Sequence, residues 1–105
     1  MSKPTKIQEN IEKLQDLENQ LKAIYMVRIP SSSQLKLVDL CHKEFKLKEL
    51  PKLENRYNQR LKKITEMSDY PKDYEKVLIA FQVKRSELMA KYMRKEIDIM
   101  RDATF

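Results

Sequence analysis

Glycine and tryptophan are absent from this 105-residue chain, which has one cysteine, one histidine and four prolines. Each scarcity removes a class of function. Without glycine there is no phosphate-cradling loop of the P-loop or dinucleotide-binding kind, because those turns need backbone conformations that only glycine adopts cheaply. The same lack argues against a hairpin-rich β fold. One cysteine cannot make an internal disulfide and fits a reducing compartment. One histidine cannot complete a two-histidine metal site, and no catalytic triad can be argued from it without geometry. No apolar run approaches the roughly 20 residues of a membrane span. The first residues show no apolar signal-peptide core, and Glu9, Glu12 and Asp16 come too early for an acid-poor transit peptide. The expectation is a soluble intracellular protein, cytoplasmic or nuclear, with no integral membrane contact.

Charge is abundant: 36% of residues are charged, and the net charge is +6. Acids and bases alternate along the whole chain, as on solvated helix faces and unlike a basic tail. The strand-favouring residues are scattered, so all-α is the simplest class. At this length one domain, 1–105, is expected.

The longest uninterrupted stretch is 71–101. Tyr70-Pro71 opens it, since proline suits the first helical turn, and Asp73 and Glu75 complement the helix dipole there. A helix over this range would be about 45 Å long. One apolar stripe reads Tyr74, Leu78, Phe81, Leu88, Tyr92 and Ile99, interrupted by Arg85. A second, rotated from it, reads Met89, Met93, Ile97 and Met100, with Val83 at its edge. The first suits a core. The second reads either as the rest of a wide buried face or as a surface for another helix, to which methionine adapts well.

Upstream, Thr5 and Gln8 have capping-box spacing, and Ile7, Ile11, Leu14, Leu17, Leu21 and Ile24 recur regularly enough for a bundle or a coiled-coil seam. Arg28 to Ser33 is the clear linker. Pro30 stops the first helix, and Ser31 with Gln34 forms a second capping box. A linker this short is expected to fold the second helix back along the first. Leu37, Val38, Cys41, Phe45 and Lys48 line one side of it, broadened by Leu35, Leu40 and Leu47. Leu53, Tyr57, Leu61, Ile64 and Met67 follow Pro51. The periodicity from Phe45 through Leu50 to Leu53 and Tyr57 favours a bend at Pro51 over a break. Ser68-Asp69 makes the last turn. The expected fold is an antiparallel helical bundle of three long helices, 5–28, 32–67 and 71–101. If Pro51 breaks the second, the count is four, with 32–50 and 51–67 separate.

Few residues suggest chemistry. Cys41 and His42 are neighbours and point about 100° apart on a helix, so they do not converge on one ion. Glu9, Glu12 and Asp16 share a face, which reads as solvated. No catalytic residue, cofactor or metal is expected. The best charged candidate is the ridge Lys52, Arg56, Arg60 and Lys63, whose mutual repulsion an anionic partner would relieve. The expected function is a non-enzymatic protein–protein interaction module: a small subunit, adaptor or chaperone-like protein. It would offer Met89, Met93, Ile97 and Met100 to another chain or to its own copy. The alternative is a nucleic-acid-binding helical protein that uses the basic ridge.

Overall fold

The computed structural model describes residues 6–66 and 70–102. The Thr5 cap, Met67 and the Ser68-Asp69 turn lie outside the described residues. The fold is an all-α bundle: α1 (Lys6–Val27), α2 (Ser32–Glu44), a π-helical turn (Phe45–Glu49), α3 (Leu50–Thr65) and α4 (Tyr70–Arg101). Because α2, the π turn and α3 run on without a break, there are three long helical rods.

The rods do not enclose a triangular core. α4 lies in the middle, with α1 on one flank and α2–α3 on the other. The expectation that the second helix lies along the first is therefore corrected: it reverses direction, but both pack on α4 and hardly touch each other. The reason is the angular placement of the α4 stripes. Ile97 comes nine residues after Leu88, about 180° round the helix. Ala90 and Ile97 take Leu17 of α1, with Leu14, Leu21, Ile24 and Met93 packed around them. On the other flank Phe81 meets Tyr57 and Tyr92 meets Phe45, each with ring centroids 5.5 Å apart. The result is a layer of 56 × 38 × 15 Å. Its radius of gyration is 17.5 Å, against about 13 Å for a compact domain of this length.

Pro51 does not break the second rod; it stands in the first turn of α3, directly after the π-helical turn. Proline has no N–H for the carbonyl four residues back and its ring crowds it. Upstream the chain takes wider turns, in which the Leu50 N–H donates to the Phe45 carbonyl. This turn also corrects the periodicity argument. Twelve α-helical residues at about 100° each would leave Tyr57 about 120° away from Phe45. The wider turn lags behind that rotation, so both aromatics face α4.

The α1–α2 turn fixes the end of α4. The Ser31 Oγ accepts from the Gln34 N–H (3.1 Å), and Gln34 Oε1 accepts from the Ser31 N–H (2.9 Å), which completes the capping box. The Gln34 amide nitrogen is then left to donate to the carbonyls of Ile99 (3.0 Å), Met100 (3.4 Å) and Asp102 (3.3 Å). Arg28 Nη1 adds bonds to the Met100 and Arg101 carbonyls at 3.3 and 3.4 Å. Apart from that of Ile99, which also accepts from the Asp102 N–H at 3.4 Å, these are carbonyls that a helix C-terminus cannot satisfy within itself. At the other end of the α1 contact, buried Asn10 donates to the Val83 carbonyl and to Ser86 Oγ, which sets the register of α1 on α4.

Candidate interaction faces

A layer of helices has two faces, and the two faces of α4 differ. Leu78, Gln82, Arg85, Met89, Met93 and Glu96 recur at helical spacing along one of them. Glu87, Lys91, Arg94 and Asp98 lie on the opposite one.

On the first face, Met89 and Met93 form the floor of an apolar valley of about 170 Å³, bounded by Leu21 of α1 and by His42 and Phe45 of the second rod. Both methionines are half-buried. The other two residues of the expected interface stripe are placed differently. Ile97 is 3% exposed and Met100 0%, so they belong to the core of this chain and present no surface to a partner. Ile97 follows Met89 by eight residues, about 80° further round the helix, and that rotation turns it beneath α1. Of the expected interface, Met89 and Met93 remain accessible.

Glu96 ties the valley's rim together across all three rods. One of its oxygens accepts from the Tyr25 hydroxyl at 2.8 Å, and the other lies 2.6 Å from His42 Nε2. A carboxylate only accepts, so Nε2 carries the hydrogen. Burial, then the hydrogen bond and charge of Glu96, push the Tyr25 phenol up to about 12. The charge pattern alone gave no sign of this carboxylate's role. Asn10 was missed too, although its place at core spacing between Ile7 and Leu14 in the α1 stripe is a signal of burial.

The second face carries the basic ridge. Lys52, Arg56, Arg60 and Lys63 are all exposed. Lys52 and Arg56 form one bank of a groove of about 330 Å³ between α3 and α4; Lys84 and Lys91 of α4 form the other. Glu49 and Glu87 also line it, and Leu53 and Leu88 are its half-buried floor. Among the described residues Lys84 is the one of these four cations with an ion pair, 3.7 Å from Glu87. Arg60 stacks its guanidinium 5.2 Å above the Tyr57 ring, so that ring is buried beneath a cation. Lys84 and Lys91 were not part of the expected ridge, because only the antiparallel pairing of α3 with α4 brings them to it. Glu87 also lines the smaller α1–α4 groove with Lys13 and Arg94, so the grooves flanking α4 open on the same side.

The remaining candidates make no site. Cys41 is half-buried, and burial, against the opposing pull of Lys95, pushes its thiol up, away from the reactive thiolate. Glu9, Glu12 and Asp16 are exposed, and Asp16 accepts from Gln20. Among the described residues no three of His, Cys, Asp and Glu come together as metal ligands, and no helix is long and apolar enough to cross a membrane. Compared with known proteins, the chain matches no family model, no curated protein and no solved structure.

Proposed function

We propose that this chain is a non-enzymatic helical interaction module, working inside the cell, whose Met89–Met93 valley receives an amphipathic helix of another protein chain. The observation that carries the reading is the single-layer architecture. Domains bury apolar faces between two packed layers, and this chain supplies one, 15 Å thick. The valley runs between two helices that stand apart on either side of α4. A fourth helix laid there completes a four-helix cross-section. Leu78, which shares the Met89 face of α4 at helical spacing, remains uncovered at 37% exposure. Methionine at the floor lets the surface adapt to an irregular partner ridge.

The test places a photo-crosslinking side chain at position 89 and, as a control, at exposed position 36, in cells that make the protein. Light scattering on the purified chain is run alongside. The expected result is one adduct specific to position 89, lost with Leu78→Glu in a still-helical protein. A concentration-dependent dimer abolished by Leu78→Glu would make the occupant a second copy. A strict monomer with no adduct specific to position 89 refutes the reading.

A further inference from the structure

We propose that the face of the layer opposite the Met valley binds the phosphate backbone of double-stranded nucleic acid, without reading its sequence. Lys52 and Arg56 on α3 face Lys84 and Lys91 on α4 across one groove, and Glu49 and Glu87 only partly offset them. Three of the four have no carboxylate within ion-pair distance among the described residues. Exposed like charges on neighbouring helical turns repel, and an anion between the banks turns that repulsion into attraction. Arg60 and Lys63 continue the α3 bank. From Lys52 to Lys63 the line is about 17 Å long. A ligand that meets such a line on one side must carry closely spaced charge, and a duplex presents one charge about every 1.7 Å.

Two features select a duplex over a single strand, and backbone over bases. Single-strand binders rely on aromatic platforms on which bases stack. Among the residues whose side chains are described, Tyr25 is the one exposed aromatic, and it stands on the rim of the opposite valley. Tyr57, the ring nearest the ridge, is buried under Arg60. The side chains that remain are Lys and Arg on rigid helices, which position a backbone. The two faces of α4 then have separate partners, so this inference does not depend on what fills the valley.

The experiment measures binding of the whole chain to a mixed-sequence 20-base-pair duplex between 50 and 200 mM salt. Engagement of the four groove cations predicts a log–log slope near −3.6, which is about a 150-fold loss over that range. Lys52→Gln with Arg56→Gln should halve the slope, to about −1.8, while the helicity spectrum stays unchanged. Lys36→Gln with Lys46→Gln lowers net charge equally at exposed positions outside the groove and should leave the slope as it was. Equal losses in the two double variants overturn the inference, since net charge alone would then explain binding. So does absence of binding at 50 mM. Tighter binding to the matching single strand refutes the duplex assignment, and equal competition by poly-glutamate reassigns the face to an acidic protein.

Discussion

Gln34 is the residue whose replacement tests the architecture most sharply, because its two side-chain atoms do different work. Its Oε1 closes the capping box of α2, and its Nε2 caps the far end of α4 through three carbonyls at 3.0–3.4 Å. Gln34→Glu keeps the first role and reverses the second. The new carboxylate can still accept from the Ser31 N–H, but it offers only oxygens to the Ile99, Met100 and Asp102 carbonyls. The site is 8% exposed, so water cannot fully compensate. Losing a donor there costs about 1–3 kcal/mol, and more when the replacement is charged; about 3 kcal/mol is expected. For a chain of this size that corresponds to a fall of about 12–24 °C in the thermal midpoint. Gln34→Ala, which loses both roles without adding charge, should cost about 2 kcal/mol. The sign of the pH dependence follows from the same geometry. A carboxyl facing carbonyls is favoured in its protonated, donating form, so its folded pKa lies above the unfolded value near 4.3. The Gln34→Glu protein should then be closest to wild type below that value and lose stability as pH rises through the folded pKa. Thermal melts followed by helicity at pH 4 and pH 7, with exposed Gln59→Ala as a control within about 0.5 kcal/mol, decide it. A Gln34→Glu midpoint within 3 °C of wild type at pH 7, on this scale about 0.5 kcal/mol, would refute the reasoning.

Three further outcomes are expected. Met100→Ala, at a fully buried position, should cost about 3 kcal/mol in urea unfolding, whereas Met89→Ala on the half-buried valley floor should cost about 1 kcal/mol; equal costs would mean Met89 is core. Tyr92 is raised to about 12 by burial and then by the neighbouring Glu44 carboxylate. Its contribution is intact below pH 10 and lost as pH climbs through 12, so Tyr92→Phe should flatten that alkaline limb in melts monitored with phenolate absorbance. Deleting exposed Lys46 leaves eleven residues from Phe45 to Tyr57, about 20° from perfect phase in an ordinary α-helix. That deletion should keep the fold and remove the wide turn, while deleting Asn58 throws Leu61 and Ile64 about 100° out and should unfold the protein; equal damage from both would refute the phase argument.

The helices were legible in the sequence because their signals are local. Pro30, the Ser31–Gln34 box and the apolar spacing from Ile7 to Ile24 set limits that fall within two residues of those observed for α1 and for the start of α2. What was not legible is pairing. Leu35, Leu40 and Leu47 broaden the apolar side of the second helix on paper, yet all three are exposed. α4 is one helix wide and the rod crosses it with Val38, Phe45 and Tyr57 instead. The Met stripe divided for a similar reason. Periodicity shows that Met89, Met93, Ile97 and Met100 share a side of the helix. It cannot show that α1 will cover Ile97 while Met89 stays at the edge of that cover. The basic groove lay beyond sequence pattern as well, since Lys52 and Lys91 are thirty-nine positions apart and only the antiparallel pairing places them on opposite banks.

The thinness of the layer has a consequence for stability that a compact bundle would not share. The buried apolar residues include Leu17, Val38, Tyr57, Ala90, Tyr92, Ile97 and Met100. They lie in two seams on either side of α4, so no single centre holds all three rods. Cooperative unfolding then depends on the groups that couple the seams. Those are the α1–α2 turn, where Arg28 and Gln34 grip the end of α4, and Glu96, which joins Tyr25 of α1 to His42 of α2. A ligand that binds only the assembled layer stabilises it by mass action, about 2.7 kcal/mol at one hundred times its dissociation constant. A helix seated on Met89 and Met93 would touch both seams at once, and so raise cooperativity together with the midpoint. A duplex held by Lys52, Arg56, Lys84 and Lys91 would touch only the α3–α4 seam. It should raise that seam's hydrogen-exchange protection and leave that of α1 nearly unchanged.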